Sequence, residues 1–266
     1  MIYKVLLIST LFLFFSCANR NIEDLNATKK NDNENIQSFS QKLDFISSNN
    51  LDTSIFRIEY QTYKKCDSLY KDSIHQEIYY YLKNIYPFKS NSIYRPSELD
   101  NKFMDFYLNQ FKRQSKEEYN LLLHKFLYEF DVQIKLIDEA NQPYAFLWLK
   151  SKVFLGNNLN SYSYYSLVFH KETAKKYTFY DLFENDSNNQ SVILNHLKEK
   201  YLKNNEESLS ENGFWLDENQ LVNPQAFYIQ KDTLHLFFNP LEIANEKWDV
   251  IYLTIPLNKL NYIKKM

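Results

Sequence analysis

The histidines of this chain lack the spacing that metal chemistry needs. They form no HxH, HxxxH or HExxH motif, so the sequence predicts no zinc site. Two lie in helical patterns and one alternates within a strand, which favours structural or surface positions over catalysis. The five histidines are His75, His124, His170, His196 and His235.

Acidic pairs and nucleophile motifs lead to a similar expectation. Close acidic pairs resemble those of glycosidases, but such pairs are common on solvated helix faces. No GxSxG or SxxK motif occurs, and the only two glycines are too far apart to build a phosphate loop. We therefore predict that the chain is not an enzyme and holds no metal and no cofactor. The acidic pairs are Glu117 with Glu118, Glu206 with Glu207, and Asp181 with Glu184.

Aromatic residues make up 17% of the sequence and offer a different kind of chemistry. Five of them fall in two neighbouring predicted strands, where they form either a stacking platform for sugars or part of the core. Because half of the residues in a sheet face inward, the core is the more common use of such alternating aromatics. The five are Phe146, Trp148, Tyr162, Tyr164 and Tyr165.

The loop from Asn239 to Trp248 is the best candidate for ligand contact. It joins two predicted strands, and loops on a rigid scaffold often carry function. The alternative is plain loop packing, with Leu241 and Ile243 plugging the core. The candidate contact residues are Asn239, Pro240, Glu242, Asn245 and Trp248.

The N-terminus has the pattern of a targeting segment. A lysine at position 4 precedes the apolar run Val5–Phe15, then Ser16 and Cys17. The run is too short to span a bilayer, and it resembles a bacterial lipoprotein signal with Cys17 as the lipidated residue. We therefore predict a signal peptide at 1–16 and a lipid-anchored protein of the bacterial cell envelope, at the outer membrane and facing either the periplasm or the cell surface.

Lipidation of Cys17 leaves Cys66 without a partner in the chain, so Cys66 is either a buried small hydrophobe or a reactive thiol.

Residues 18–40 are polar and rich in Asn, so they bury too little apolar surface to offset the entropy of ordering. We assign 17–45 to the lipidated cysteine and a flexible tether. The net charge of −2 argues against a nucleic-acid partner.

Hydrophobic periodicity predicts an α+β protein with mainly antiparallel sheets, several packed helices and two closely associated halves. Divided by residue, the halves are an N-terminal α+β domain at 46–155 and a C-terminal domain at 156–266. The predicted helices are 97–113, 116–130, 190–203 and a short one opened by Pro256. The predicted strands are 54–63, 76–86, 143–155, 161–170, 226–229, 234–238 and 249–255, with turns at 156–158, 171–176 and Lys231-Asp232.

The C-terminal sequence resembles a known family. Residues 234–244 (LHLFFNPLEIA), 255–260 (IPLNKL) and 179–183 (FYDLF) are similar to the C-terminal domain of RsiV-type anti-sigma factors. That domain of unknown function also occurs in the accessory module of PdaC-type peptidoglycan deacetylases and in many lipoproteins. The region before residue 155 resembles the partner domain that precedes it. The loops near 156–161 and after 244 depart from the family pattern.

The resemblance implies a non-enzymatic, lipid-anchored envelope module. Its partner would be the membrane through Cys17, together with a lysozyme-like protein or a peptidoglycan fragment. The alternatives are a purely structural lipoprotein and an accessory to a cell-wall hydrolase or deacetylase. Neither the ligand nor the oligomeric state follows from the sequence.

Overall fold

A computed structural model describes residues 36–46, 53–85, 105–113, 128–155, 161–202, 208–216 and 223–262. The predicted signal peptide, Cys17, His124 and the turn at 156–158 lie outside these residues and stay predictions. Nothing in the described ranges resembles a transmembrane helix, because none of their helices is both long and apolar enough to cross a bilayer.

Nine strands in two sheets and four helices make up the described part of the chain, as the predicted α+β class requires. The first sheet has the order β1 (Ile36–Ile46), β2 (Thr53–Tyr63), β3 (Tyr128–Ile137), β4 (Tyr144–Leu155), β5 (Ser161–His170) and β6 (Lys176–Tyr177). The second sheet has the order β7 (Ala226–Gln230), β8 (Thr233–Phe238) and β9 (Ile251–Pro256). The helices are α1 (Leu69–Ile85), α2 (105–113), α3 (Phe179–Leu182) and α4 (Ser187–Tyr201), with a 3-10 turn at Leu257–Lys259.

All strand pairs are antiparallel except β2 with β3, which are parallel. Parallel neighbours need a crossover connection, and α1 and α2 lie in the segment that supplies it. The buried face of these strands meets α1 in what we call the helix-side core. Its members include Phe56, Ile58, Ile74, Ile78, Phe111, Phe130 and Val132.

Strand β4 is buried on both faces, because its alternate residues enter two different cores. Ala145, Leu147 and Leu149 lie in the helix-side core. Phe146 and Trp148 lie in a second cluster, which we call the sheet-side core. That cluster also holds the second sheet and the apolar sides of α3 and α4, including Phe179, Ile193, Leu197, Phe227, Leu236 and Phe238.

The strand predicted at 76–86 is wrong, because residues up to Ile85 belong to α1. The buried residues Ile74, Ile78 and Leu82 recur every fourth position and form one helical face. The tyrosine run was misleading: Tyr79 is buried, whereas Tyr80 next to it is exposed.

Two other predictions change at their boundaries. Residues 36–46 form β1, paired with β2 along its whole length, so the flexible tether predicted for 17–45 is wrong from residue 36 onward. Pairing with β2 satisfies the backbone hydrogen bonds of β1, although the polar composition of β1 gave no reason to predict a strand there. The helix predicted at 116–130 is wrong at 128–130, which begin β3, and 114–127 lie outside the described residues.

The remaining elements agree with the sequence pattern. The strands at 54–63, 143–155, 161–170, 226–229, 234–238 and 249–255 are confirmed within about two residues at each end. Helix 190–203 corresponds to α4, and helix 97–113 is confirmed over 105–113. The short helix predicted at Pro256 is present at Leu257–Lys259, but Pro256 lies at its N-cap rather than at its first helical position.

Candidate functional site

The candidate loop is fixed to the first sheet by the side chain of Asn239. Its Nδ2 donates to the carbonyl oxygen of Tyr164 at 3.0 Å, and its Oδ1 accepts from the Tyr164 amide. Asn239 therefore occupies the place of a paired backbone unit beside β5. A side-chain amide can do this because it carries the same donor and acceptor as a peptide group.

Glu242 closes the loop on itself. Its Oε2 accepts from the Asn239 amide at 2.7 Å, and its Oε1 accepts from the Gln225 amide at 3.3 Å. Burial raises the pKa of Glu242 above its ordinary value, although these donors act in the opposite direction. Both carboxylate oxygens of Glu242 therefore accept hydrogen bonds from backbone groups of the protein itself.

Trp248 and Asn245 hold the segment 208–216 against the loop. The Trp248 indole nitrogen donates to the carbonyl oxygen of Asn212 at 2.8 Å, and the ring packs 5.5 Å from that of Phe214. The Asn245 amide donates to the carbonyl oxygen of Gly213 at 2.8 Å. Gly213 has φ +84°, which favours glycine, and a Cβ there would lie 2.3 Å from the side-chain Nδ2 of Asn245.

Four of the five predicted contact residues thus form bonds inside the protein, and the fifth, Pro240, is half-buried. Their role in ligand contact stays a prediction. The alternative that Leu241 plugs the core is wrong, because Leu241 is 57% exposed and has φ +64°, while Ile243 is buried as expected.

A second exposed apolar side chain lies beside the loop. Trp215 is 56% exposed, and its amide donates to the carbonyl oxygen of Ile243 at 2.8 Å. The neighbouring residues Phe214 and Ala244 form a β-bridge. We call Trp215 and Leu241 the exposed apolar pair. Sequence reasoning missed Trp215 because it follows a polar stretch, although an isolated tryptophan in such a stretch is itself a signal.

The suggested aromatic platform is mostly core. Phe146, Trp148 and Tyr164 are each at most 5% exposed. Tyr164 stacks on Phe237 of β8 with ring centres 5.4 Å apart, and so joins the two sheets. Tyr165 is exposed, and strand alternation places its side chain on the opposite face from Tyr164.

The face of the first sheet that carries Trp148 and Tyr164 also carries charged residues on β2, β3 and β4. Two ion pairs lie there, Arg57 with Asp131 at 3.3 Å and Lys152 with Glu129 at 2.6 Å. Register places these charges, which we call the charged floor, on one face with Trp148. The charged floor consists of Arg57, Glu59, Glu129, Asp131, Lys135, Lys150 and Lys152.

The histidines are dispersed. His235 lies in the second sheet, where its Nδ1 is 2.7 Å from the Tyr252 hydroxyl and its ring stacks on Tyr228 with centres 4.4 Å apart. Burial lowers the pKa of His235 to about 4. His75 is buried beside Thr62, 3.3 Å from its hydroxyl, while His170 and His196 bond near their own backbone.

No group of three or more His, Cys, Asp or Glu side chains in the described ranges is arranged to hold a metal ion. Cys66 is exposed rather than buried, which contradicts the expectation of a buried small hydrophobe. Its thiol lies 3.9 Å from the carbonyl oxygen of Lys71, and partial desolvation of the thiol, together with the nearby Asp72 and Asp67, raises its pKa. A raised pKa disfavours the thiolate that a nucleophile needs.

Comparisons with solved structures agree on the fold. The chain is similar to a DUF3298 family member from Bacteroides fragilis, with a TM-score of 0.57, 14% identity and coverage of 84% of this chain and 91% of the other. It is also similar to a DUF3298 family protein from Pseudomonas aeruginosa PAO1, with a TM-score of 0.56, 12% identity and coverage of 86% and 94%. No curated protein matches the sequence.

A family model matches residues 180–258, from α3 to the 3-10 turn. This stretch contains the candidate loop, the second sheet and α4. It falls inside the C-terminal domain predicted at 156–266, whose boundaries stay predictions. Residues 180–258 thus match the DUF3298 family, which is described as a protein of unknown function.

Proposed function

We propose that this protein is a lipid-anchored, non-enzymatic binding module of the bacterial envelope. The anchor rests on the sequence of residues 1–17, and the binding role on the exposed apolar pair. The RsiV-type resemblance favours a lysozyme-like protein or a cell-wall glycan as the ligand.

The observation that carries the binding role is the rigid mounting of two exposed apolar side chains. Leu241 lies between Asn239 and Glu242, which fix the loop to β5 and to Gln225. Trp215 is bound to the same loop through the carbonyl oxygen of Ile243. Exposing these side chains to water is unfavourable and contributes nothing to packing, whereas tryptophan is a frequent anchor of interfaces.

The surroundings of the pair suit both kinds of ligand. Glu246 and Asp249 are exposed on the same loop and its exit, next to Lys247, so a basic protein surface gains modest electrostatic attraction. An exposed indole also offers a flat apolar face on which a sugar ring can stack.

Binding can be tested by titration calorimetry of the full chain with lysozyme and with peptidoglycan fragments. We expect Trp215→Ala and Leu241→Ser to weaken binding at least tenfold while the melting temperature stays near that of the wild type, because both side chains are exposed. Trp248→Ala is the control, since its ring packs on Phe214 and Tyr201 and its loss should lower the melting temperature.

No heat with any of these ligands would overturn the proposal in favour of a purely structural lipoprotein. Unchanged affinity in both surface variants would show that the ligand binds elsewhere. Hydrolysis or deacetylation of the peptidoglycan fragments during titration would instead support the accessory role in cell-wall turnover.

A further inference from the structure

The charged floor has two lysines without an ion-pair partner. Arg57 and Lys152 are neutralised by Asp131 and Glu129, and Glu59 is exposed. Lys135 and Lys150 are half-buried and form no ion pair with the described residues. The two ammonium groups face the same side of neighbouring strands. Beside the larger effect of burial, Lys150 acts to lower the pKa of Lys135 while Glu59 acts to raise it, and Lys150 also acts to lower the pKa of the nearby Asp131 carboxyl.

A buried donor without an acceptor lies beside these lysines. Trp148 is only 4% exposed, and its Nε1 finds no hydrogen-bond acceptor among the described residues. The Lys135 ammonium lies 5.5 Å from the centre of the Trp148 ring. A buried N–H group without an acceptor is unfavourable, so native proteins rarely leave one without a reason.

One acceptor on the floor is also left without a partner. Asp131 binds Arg57 through Oδ2, and its Oδ1 is buried without a hydrogen bond. Burial raises the pKa of Asp131, and burial together with Lys150 lowers the pKa of Lys135. Both pKa shifts show that water does not fully solvate the charged forms of Asp131 and Lys135.

The second sheet adds an aromatic wall next to these groups. Register places Tyr228, His235, Phe237 and Tyr252 on one face of that sheet. This face is turned toward the floor, because Phe237 lies 5.5 Å and Tyr228 6.4 Å from the Trp148 ring. Phe237 and Tyr228 are buried, so the half-buried rings of His235 and Tyr252 are the part of this wall that can pack against the apolar face of a sugar.

We propose that Lys135, Lys150 and Trp148 bind an oxyanion carried by a sugar, namely a sugar acid or a sugar phosphate. The two ammonium groups neutralise the anion, and the indole N–H donates to one of its oxygens. Asp131 Oδ1 accepts from a sugar hydroxyl, and the half-buried rings of His235 and Tyr252 cover the sugar ring. This site is separate from the exposed apolar pair and does not depend on the proposed function.

The probes are N-acetylmuramic acid, which carries a carboxylate, and glucose 6-phosphate, with N-acetylglucosamine as the uncharged control. The full chain has three tryptophans, so its indole N–H region in a ¹H–¹⁵N spectrum holds three signals, and Trp148→Phe assigns one of them. We expect an anionic probe to shift the Trp148 signal and to leave the Trp248 signal, whose N–H is bound to Asn212, in place. Which of the two probes acts identifies the anion as carboxylate or phosphate.

Lys135→Met and Lys150→Met should each weaken binding at least tenfold, since they keep the aliphatic stem and remove the charge. Lys175→Met is the matched control, because Lys175 also lies over an aromatic ring, 5.2 Å from the centre of Tyr177. The proposal is overturned if neither anionic probe moves the Trp148 signal at millimolar concentration. It is equally overturned if N-acetylglucosamine binds as well as the anions, or if Lys175→Met weakens binding as much as the floor variants.

Discussion

Polar side chains in this protein often replace a missing backbone partner. Asn239 pairs with both backbone groups of Tyr164. The Tyr201 hydroxyl does the same for β9, accepting from the Tyr252 amide at 2.8 Å and donating to its carbonyl oxygen at 3.1 Å. Asn189 joins α4 to the C-terminal end by accepting from the Asn261 amide at 2.7 Å. Each bond satisfies groups that a short or irregular sheet edge would leave unpaired.

At the residue scale, His235 should make stability depend on pH. Its pKa falls from 6.5 in the unfolded chain to about 4 in the folded protein, because burial disfavours the cation. Above pH 6.5 His235 is neutral in both states, and stability is lost as pH falls from 6.5 toward 4, where the unfolded chain binds more protons.

The measurement is urea unfolding of the wild type and of His235→Gln at pH 7.5 and pH 4.5. The wild type should lose on the order of 2 kcal/mol more than the variant over this interval. Because every other titrating group is common to the two proteins, the difference isolates His235. Equal losses would show that His235 titrates normally in the folded state.

At the scale of elements, tight turns in this chain are built almost without glycine. The hairpin between β7 and β8 turns at Lys231 and Asp232, whose φ angles are +48° and +56°. Two consecutive residues in this region form a type I′ turn, for which Asn-Gly is the preferred sequence. The left-handed conformation costs about 1 kcal/mol for an ordinary side chain.

Replacing Lys231-Asp232 with Asn-Gly should therefore stabilise the protein by about 1 kcal/mol. The main-chain bonds of the turn are kept, since Lys231 donates its amide to Glu139 and Asp232 accepts from Leu257 through its carbonyl. Thr233→Gly is the control, because glycine inside β8 should destabilise. A melting temperature that falls in both variants would show that the turn is not strained.

The elements that could be predicted from sequence are those whose hydrophobic residues follow a single, clear periodicity. β4, β5, β7, β8 and β9 alternate or read as short apolar runs, so their pattern alone identifies them. Helix α1 could not be identified because Tyr79, Tyr80 and Tyr81 favour a strand, while its buried face is decided by packing. Strand β1 is polar, and only its pairing with β2 makes it a strand.

The candidate site was predictable only as a location. The loop that links β8 to β9 could be found from sequence, but which way its side chains point depends on contacts with β5 and with 208–216. Sequence cannot show that Asn239 binds Tyr164, or that Trp248 packs inward while Trp215 is exposed. The charged floor combines β2, β3 and β4, whose proximity depends on register.

At the scale of the whole molecule, the predicted halves share a sheet. β4 and β5 pair across the predicted boundary at residue 155, and the described residues from 36 to 262 belong to one compact unit. β4 contributes alternate side chains to the helix-side and sheet-side cores. Losing either core removes one buried face of the same strand, so the two cores should unfold together.

Ile78→Ala tests this coupling, because Ile78 is completely buried in the helix-side core while all three tryptophans lie outside it. The cavity should cost about 2–4 kcal/mol. We expect thermal unfolding followed by tryptophan fluorescence to shift downward by the same amount as unfolding followed by circular dichroism, in one transition. Val192→Ala on α4, at the margin of the sheet-side core, is the reciprocal variant and should also shift both signals equally. If Ile78→Ala leaves the tryptophan transition in place and splits the circular dichroism curve, the two cores are independent domains, and the boundary near residue 155 separates two folding units within one sheet.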